Sequence, residues 1–550
     1  MASDAQVLNL VNNPGFIRFS DELNNRYELP SRTYLTQTAL PITFEAAKHT
    51  INRLISGVYF WGTSDLWSKA GQLHKHLSFS MHFIDDDFEI RNLLVGCPGA
   101  AGPQTAPNIL KAWMKLLIGW GLLKLREGIE IDEENIDDVE SYEGWDHFMG
   151  MATDNGANFL NAVGLCPENV SVGSIPCLPH TTQLAVNDAI RTQRVVIDLL
   201  ARVRNFVGYC KKSGPGYDGF MRIQREANAV EKVVIQDIDT RWDSQLMMLE
   251  RFQELKLFIR AFAAEDENNA TDLSNNEWLL LPRLINLLKP LRELTKFGQK
   301  EQAIGGAVIF KIKKCIHTVD NTIAFGLGTM KEALLQSLRT RLADYLEHVP
   351  FLICCILDPN FKGVSLSEEG LERGKQVILS MVADIIESQI EPNAINQEED
   401  AQDQNAQVQN AVAGQPDEDG GEAALLLHMF AQDDDEEDGN DQDNARVLAE
   451  QGARAELDAF MRLKRDAAMQ TDVLQWWKRQ TAFPNMRMLG KKYFSVPAGS
   501  GFSERMFSAL TDFYTSDRNR LSSVHAEELL IVQQILKNSG YKLVYPATAN

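Results

Sequence analysis

The stretch HLSFSMHFI, residues 76–84, alternates apolar and polar side chains along its length. Every second residue is apolar, with Ser or His between them; the apolar members are Leu77, Phe79, Met81 and Phe83. Side chains at i, i+2 and i+4 share one face of a β-strand. We therefore predict a half-buried strand here, followed by a turn at the acidic triplet 85–87.

Segments on either side extend this strand into a mixed sheet. FEIRNLLVG (88–96) predicts the returning strand of an antiparallel hairpin, and GVYFWGTSDLW (57–67) predicts an upstream strand. TAPNILKAWMKLLIGWGLL (105–123) carries an apolar stripe at helical spacing. DHFMGMATD (146–154) has the composition of a short buried strand, followed by an Asn-Gly turn. The N-terminal third is therefore predicted to be an α/β unit of order β-β-β-α-β.

The remainder of the chain has helical periodicity, interrupted by one acidic segment. Residues 180–390 are helical in pattern almost throughout, most clearly QLMMLERFQELKLFIRAF (245–262). Residues 391–445 contain 17 Asp and Glu and no Lys or Arg, and their Gln, Asn and Gly content predicts a disordered linker. Helical pattern resumes at 446 and continues to about 538. This order predicts a long helical insertion that splits an α/β core.

The overall charge of −22 comes mostly from the acidic linker, because the other residues hold 59 acidic against 54 basic side chains. A locally basic groove for nucleic acid therefore remains compatible with the composition. Seven scattered cysteines with no CxxC spacing indicate a reducing compartment and argue against a disulfide framework or a zinc finger. The sequence shows no signal peptide and no membrane-spanning apolar run, which predicts a nuclear or cytosolic protein without a membrane partner.

Three acidic residues stand at the ends of predicted elements. Asp65 lies in TSDLWS, Asp154 ends a buried strand, and Glu504 lies in the first turn of the amphipathic helix that GSGFSERMFSAL (499–510) predicts. Each has an ordinary structural interpretation: a turn cap, an Asx turn, and a solvated first-turn carboxylate favoured by the helix dipole. Together, three carboxylates on adjacent element ends can hold two divalent metal ions, for which Mg²⁺ or Mn²⁺ is suited.

Five ordered blocks of the sequence resemble the hAT superfamily of DNA transposases. They are TSDLWS with the strand ending HFID, DNGANF with Cys177-Leu-Pro-His180 and TTQLAVNDAI, DIDTRWDSQLMMLERFQEL (237–255), LDPNFK (357–362), and LQWWKRQTAFPNMRMLGKKYFSVPAGSGFSERMFSALTDFYTSDRNRLSSVHAEELL (474–530). The last block is similar to the hAT C-terminal dimerisation region through most of its length. The resemblance covers nearly the whole chain from residue 14.

This resemblance implies an α/β RNase H-like core split by a long all-α insertion, with a C-terminal helical dimerisation region, in a protein that is mostly helical overall. The implied organisation is an N-terminal helical segment (1–50), the first part of the core (51–190), an all-helical insertion (191–390), the acidic disordered linker (391–445), the dimerisation region completing the core (446–538), and a tail (539–550).

The resemblance also implies roles for particular residues. The family's Asp-Asp-Glu set, which binds the catalytic metal ions, falls on Asp65, Asp154 and Glu504. Its Cys-x-x-His falls on Cys177 and His180, which together with Arg505 are expected near the active site. For the DNA contacts, Trp242 matches the family's Trp, whose indole can stack on a base flipped out of the duplex. The alternative for Trp242 is a packed core aromatic beside Arg241.

Basic residues inside and outside these blocks are candidates for phosphate contacts, which give affinity without sequence reading. We expect DNA contacts at Arg241, Lys211, Lys212, Lys491 and Lys492; ordinary surface charges are the alternative. Full-length relatives carry an N-terminal BED zinc finger, whereas this sequence contains no CxxC…His pair. No zinc finger is therefore predicted, and specific recognition of transposon ends is in doubt.

The sequence thus predicts a nuclear, hAT transposase-derived protein that self-associates as a homodimer or higher oligomer through its C-terminal region and binds DNA or chromatin. An alternative is an active transposase core that cleaves and transfers DNA strands with a two-metal Asp-Asp-Glu site. A second alternative is a helical protein-interaction scaffold, which would require the three carboxylates to lie far apart.

Overall fold

The computed structural model describes residues 8–68, 75–100, 102–129, 138–238, 241–265, 272–301, 303–407, 441–466, 468–514 and 521–537. The predicted tail, 539–550, lies outside these residues. Within them the fold is mostly helical with one mixed sheet, which confirms that coarse prediction. The strands are β1 (Phe60–Ser68), β2 (Lys75–Ile84), β3 (Ile90–Gly96), β4 (Lys124–Leu125), β5 (Tyr142–Glu143), β6 (Phe148–Thr153) and β7 (Ile175–Pro176).

The main sheet has the strand order β3-β2-β1-β6-β7, and β4 and β5 form a separate pair. The first three strands are antiparallel, whereas β6 lies parallel to β1 and β7 lies parallel to β6. Gly150 in β6 has a φ of +147°, and a Cβ there would lie 2.3 Å from the carbonyl oxygen of Gly173. Glycine at this position therefore permits the close backbone approach that precedes β7.

The helices follow the predicted order with different limits. They are α1 (Pro14–Leu23), α2 (Arg32–Tyr34), α3 (Leu40–Ile55), α4 (Ala106–Gly119), α5 (Ala157–Gly164), α6 (Glu168–Val172), α7 (Leu178–Arg191), α8 (Arg194–Lys212), α9 (Gly214–Glu226), α10 (Trp242–Glu254), α11 (Lys256–Ala263), α12 (Asn275–Gly298), α13 (Val308–Asn321), α14 (Gly328–Arg341), α15 (Ala343–Glu347), α16 (Val349–Leu357), α17 (Glu368–Gln407), α18 (Asp441–Arg462), α19 (Val473–Arg479), α20 (Pro484–Tyr493), α21 (Gly501–Phe513) and α22 (Ser523–Lys537).

The segment 245–262, whose pattern is the most clearly helical, forms two helices, α10 and α11. The backbone leaves the helical region at Leu255, where φ is −90° and ψ is 10°. Apolar residues keep their spacing across this point, so hydrophobic periodicity cannot reveal a break of one residue.

The predicted limits of the acidic linker, 391 and 445, are wrong. Helix α17 continues to Gln407 and α18 begins at Asp441, so both ends of the linker are helical, and residues 408–440 lie outside the described residues. Gln, Glu and Ala, which are typical of disordered segments, are also good helix formers, and composition alone does not separate the two states. Arg446 ties the helices together through Asp384 and Glu387.

Strand β2 is buried on both faces from His76 to Ile84, so the prediction of a half-buried strand is wrong. Its apolar face packs on α4, where the Phe79 and Trp113 rings meet edge to face. Its polar face is covered by α21, which is more than 400 residues away in the chain. The Phe502 ring packs against His82, and the Tyr514 hydroxyl just after this helix is 3.0 Å from His76 Nε2.

The C-terminal aromatic residues belong to the interior of the chain. So many aromatic side chains in a short segment suit either a core or a dimer interface; they are Trp476, Trp477, Phe483, Tyr493 and Phe494. All but Trp476 are at most 5% exposed, and Trp476 packs against the same core. The Trp477 indole donates a hydrogen bond of 3.0 Å to the Leu357 carbonyl, which joins this region to α16. No described helix is both long enough and apolar enough to cross a bilayer.

Candidate active-site cleft

Two of the three candidate carboxylates come together through the parallel pairing of β1 with β6. Ser64 pairs with Thr153, and the next residue on each strand is an aspartate, Asp65 and Asp154. Parallel neighbours end at the same edge of a sheet, where side chains after the strands form ligand sites. The strand register therefore brings the two carboxylates to one edge.

Glu504 reaches the same edge from the C-terminal part of the chain. It lies in the first turn of α21. The preceding residue, Ser503, is buried, and its hydroxyl lies 3.4 Å from the Thr63 hydroxyl of β1. Covering the polar face of the sheet with α21 therefore positions Glu504 beside the ends of β1 and β6. Its side chain is 35% exposed.

The three carboxylates open into one cleft with a volume of about 1070 Å³. The cleft lies between the sheet edge, α7, α10, α12 and α21. The predicted site residues on its lining are Asp65, Asp154, Glu504, Cys177, His180, Arg241 and Trp242. Residues from four of the five sequence blocks thus converge here, and the LDPNFK block contributes none.

The carboxyl group of Asp65 has the most perturbed environment of the three. Burial raises its pKa to about 7, and the negative charges of Asp154 and, to a smaller extent, Glu504 act in the same direction. The backbone N–H of Leu66 donates a hydrogen bond of 2.8 Å to it, which opposes this shift. A carboxylate that is buried among like charges is stabilised by a nearby cation.

The donor set fits a divalent ion in kind, because carboxylate oxygens are the ligands that Mg²⁺ prefers. The acidic side chains are not gathered around one point, as the ligands of a bound metal ion are. Among the described residues, no group of three or more His, Cys, Asp or Glu side chains is arranged to hold one metal ion. One Asp154 carboxylate oxygen accepts a hydrogen bond of 3.1 Å from the Gly156 N–H, as in an Asx turn. Asp154 therefore forms the Asx turn that its sequence suggests and also lines the cleft.

A cation of the protein itself lies beside Glu504. The Arg241 guanidinium is 4.0 Å from the Glu504 carboxylate, and its side chain is 65% exposed. An exposed pair at this distance is weak, so both groups remain available to a ligand.

Cys177 and His180 lie at the beginning of α7. Cys177 is buried, its sulfur accepts hydrogen bonds of 3.4 Å from the N–H and hydroxyl of Ser500, and burial raises its pKa to about 11. The thiol therefore stays protonated at neutral pH and is a poor metal ligand. Gly499 makes this contact possible, because a Cβ there would lie 2.9 Å from the Cys177 sulfur. His180 lines the cleft itself.

Arg505 points away from the cleft and fastens α21 to the end of α12. It donates a hydrogen bond of 2.6 Å to the Gln299 carbonyl and forms an ion pair of 2.8 Å with Glu301. Arg505 therefore lies next to the site, as expected, and holds the helix that carries Glu504.

Trp242 is only 2% exposed and belongs to the helical core, and its backbone N–H donates a hydrogen bond of 2.7 Å to the Gln183 side chain. Although Trp242 lines the cleft, a flipped base could stack on so enclosed a ring only if the residues around it moved. The structure agrees with the alternative, a packed core aromatic beside Arg241.

The four predicted DNA-contacting lysines do not line the cleft. Lys491 pairs with Asp86 at 2.8 Å, and the Lys492 ammonium lies 3.9 Å from the centre of the Tyr59 ring. Lys211 and Lys212 are exposed at the end of α8. Basic side chains near one another in sequence are carried to different surfaces by helix packing, which sequence spacing does not reveal.

Two lining residues of α12 carry no local sequence signal. Thr295 is 5% exposed and its hydroxyl has no hydrogen-bond partner, while Gln299 contributes its side chain to the lining and its carbonyl to Arg505. Only the packing of α12 against α7 brings them to the cleft.

Two family models match the chain. Residues 175–287 match the ZBED1 RNase-like helical domain, and residues 456–536 match the hAT family C-terminal dimerisation region. The second match contains the whole block 474–530, which resembled this region in sequence.

Relatives align over nearly the full chain at low identity. Human zinc finger BED domain-containing protein 4 is 23% identical over 97% of this chain and 42% of its own length. A putative AC transposase of Zea mays is 20% identical over 95% of this chain and 62% of its own length. A putative transcriptional regulator of Talaromyces stipitatus is 21% identical over 50% of this chain and 33% of its own.

The chain thus spans roughly two fifths to three fifths of the length of the first two relatives. The resemblance drawn from the five sequence blocks is confirmed: the chain is similar to hAT transposases and to zinc finger BED proteins, and residues 456–536 match the hAT C-terminal dimerisation region.

Proposed function

We propose that this protein is a hAT transposase-derived nuclear protein that binds DNA in the carboxylate-lined cleft and self-associates through its C-terminal region. The sheet and the helices around it correspond, in this proposal, to an RNase H-like core split by an all-α insertion. The single observation that carries the proposal is the convergence of Asp65, Asp154 and Glu504, from three distant blocks, on one solvent-accessible cleft.

A second candidate function is metal-dependent cleavage and transfer of DNA strands. The observation in its favour is the raised pKa of Asp65, which Asp154 and Glu504 help to cause. Asp65, Asp154 and Glu504 are the residues that would hold Mg²⁺ or Mn²⁺. When bound, such ions activate a water or hydroxyl nucleophile and stabilise the leaving oxygen at a phosphodiester.

The protein's own residues would contribute position and charge to such a reaction. Arg241 sits at the cleft beside Glu504 and can contact a backbone phosphate. Arg505 holds α21 against the Gln299 carbonyl and thereby maintains the position of Glu504. Cys177 remains a neutral thiol whose contacts with Ser500 hold the segment that leads into α21.

Binding and cleavage are separated by one pair of assays. Fluorescence anisotropy with labelled duplex and single-stranded DNA, in EDTA, measures binding; Arg241→Gln should weaken it about threefold, as expected for loss of one phosphate contact. No binding at 100 mM salt would contradict the proposed function.

Plasmid nicking in Mg²⁺ or Mn²⁺ tests the second candidate. Nicking that disappears in Glu504→Gln and in Asp154→Asn, and persists in the exposed control Glu45→Gln, would establish an active site. DNA binding without nicking would leave the first function and remove the second for the DNA tested.

Self-association is tested by light scattering of the full chain at micromolar concentration, where we expect at least a dimer. Because its large aromatics are interior, the C-terminal region must associate through its exposed apolar side chains, which include Val524 at 60% and Leu536 at 44% exposure. The double variant Val524→Glu, Leu536→Glu should lower the mass. Leu257→Glu, at a side chain that is 78% exposed and lies outside the dimerisation-region match, should not. A monomeric wild type would contradict the proposal.

A further inference from the structure

The residues on either side of Glu504 are each fastened to a different part of the protein. Ser503 lies against Thr63 of β1, with 3.4 Å between the two hydroxyl oxygens, and Arg505 is fastened at the end of α12. Glu504 itself has one long ion pair among the described residues. Its position in the cleft therefore depends on the anchors of its two neighbours.

The first of these anchors continues through a buried histidine, His82 of β2. Its Nε2 atom lies 2.9 Å from the Thr63 hydroxyl, and its Nδ1 atom lies 2.5 Å from the side-chain oxygen of Asn92. The Asn92 side-chain amide in turn donates a hydrogen bond of 2.9 Å to the Glu301 carbonyl. The Glu301 carboxylate is the ion-pair partner of Arg505, so the two anchors meet at this residue.

The protons of this hydrogen-bonded chain have a defined arrangement. Because Asn92 donates through its amide nitrogen, its oxygen accepts from Nδ1 of His82. Nε2 of the neutral imidazole then accepts from the Thr63 hydroxyl, which accepts from the Ser503 hydroxyl in turn. Burial lowers the pKa of His82 to about 4, and the Arg505 charge acts in the same direction, against the hydrogen bond with Asn92. The ring is therefore neutral at pH 7, and the hydrogen bonds run in one direction from α21 into the sheet.

A second buried histidine of the same strand holds the opposite end of the same helix. The His76 Nε2 atom lies 3.0 Å from the hydroxyl of Tyr514, which follows α21, and its Nδ1 atom lies 2.9 Å from the Cys97 carbonyl. Both histidines are thus buried and hydrogen-bonded under α21. They differ in that His82 holds the end that carries Glu504.

We propose that His82 is a positioning residue, whose two hydrogen bonds fix the first turn of α21 and thereby the place of Glu504 beside Asp65 and Asp154. This inference rests on the proposed role of Glu504 in the cleft. The alternative is a core histidine that contributes stability alone, and this alternative predicts no local change around Glu504 when the ring is replaced.

Hydrogen–deuterium exchange of the full chain tests the position of α21 without any assay of activity. His82→Phe keeps a ring and removes both hydrogen bonds, and it should speed exchange of the amides at 504–507 by about tenfold. Thr63→Val, which removes the middle hydroxyl, should act in the same direction, whereas His82→Gln retains one donor and one acceptor and should stay within about threefold of the wild type. His76→Phe is the matched control and should leave 504–507 unchanged. Exchange in α13 is the reference for global folding and should be the same in all variants.

Mn²⁺ affinity, measured at pH 8 from the electron paramagnetic resonance signal of the free ion, connects this position to the site. His82→Phe should bind Mn²⁺ about tenfold more weakly than the wild type, as is typical when a residue that orients a metal ligand is lost. His76→Phe should bind it as tightly as the wild type.

The outcomes separate this inference from the function on which it rests. Unchanged exchange at 504–507 in both His82→Phe and Thr63→Val, or equal acceleration in α13, would overturn the inference whether or not the protein binds the ion. Faster exchange with unchanged Mn²⁺ affinity would overturn it as well. A wild type that binds no Mn²⁺ would contradict the metal-dependent function, and the exchange result would still decide the inference.

Discussion

Asp358 in LDPNFK is a buried carboxyl and Asp65 in TSDLWS a half-buried one, and loss of solvation is the first cause of a raised pKa in each, to about 6 and about 7. Their surroundings differ. Asp358 is 2% exposed and accepts hydrogen bonds of 2.8 and 2.9 Å from the backbone and side-chain N–H groups of Asn360. Asp65 accepts one such bond and faces two other carboxylates across an open cleft.

The difference shows how two short motifs of similar appearance acquire different roles. The polar side chains of the LDPNFK segment find hydrogen-bond partners elsewhere in the protein. Asn360 exchanges hydrogen bonds with the Thr471 backbone, and the Lys362 ammonium donates hydrogen bonds to carbonyls at the end of α18. It joins α16 to the C-terminal region. The Asp65 site brings three carboxyl groups to one cleft with only the distant Arg241 guanidinium to oppose them, so that a proton or a bound cation is favoured there, which is the arrangement expected of a functional site.

The largest effect on the free energy of unfolding is expected in the LDPNFK segment, at Lys362. Lys362 is 9% exposed, and its ammonium lies 2.6 Å from the Leu463 carbonyl and bonds the Phe460 carbonyl as well. Lys362→Met leaves both acceptors unpaired and should lower the free energy of unfolding by about 4 kcal/mol. Urea denaturation measures this, with the exposed Lys211→Met as the control. A loss below about 1 kcal/mol would show that the motif does not hold the regions together.

The opposite sign is expected at Asp65. Its raised pKa means that the proton on this carboxyl stabilises the fold fully below the unfolded value of 3.8, and this contribution is lost as the pH rises through about 7. Asp65→Asn removes the ionised group and should raise the free energy of unfolding by about 3 kcal/mol at pH 8. At pH 5.5 the increase should be smaller by about 2 kcal/mol, because the wild-type carboxyl is then mostly protonated. Denaturant titrations at both pH values measure it. If Asp65→Asn were less stable than the wild type at pH 8, Asp65 would be a structural residue, as Asp358 is.

Divalent ions should distinguish the two carboxyls without any assay of activity. At a concentration of ten times the dissociation constant, Mg²⁺ or Mn²⁺ should stabilise the wild type by about 1.4 kcal/mol. Thermal melts at pH 8 should show this increase in the control Glu45→Gln and not in Asp65→Asn. An increase that survives in Asp65→Asn would assign the ion to another place on the protein.

The smallest effect is expected at Glu504. Its side chain is 35% exposed, and its one ion pair among the described residues, with Arg241, is long at 4.0 Å. Glu504→Gln should therefore change the free energy of unfolding by no more than about 0.5 kcal/mol. A melting midpoint lowered by many degrees would mean that Glu504 supports the fold, and nicking assays of this variant would then not isolate its chemistry.

Local pattern was a good guide to the elements around the site and a poor one to their exposure. Alternation in HLSFSMHFI and the run FEIRNLLVG identified β2 and β3 within two residues, because a period of two is a property of the backbone. The same alternation led to the wrong prediction of a solvated face. The covering helix, α21, comes from the far end of the chain and leaves no mark on the strand.

The sequence by itself determined which segments are strands and helices, and the order of five motif blocks that relates this chain to the hAT transposases. Periodicity and turn residues act over a few positions, so they can be read locally. Only the tertiary structure decided that Asp65, Asp154 and Glu504 share a cleft, that Trp242 is enclosed, and that the basic residues diverge. Strand register and helix packing over hundreds of residues set these positions, and no local pattern encodes them.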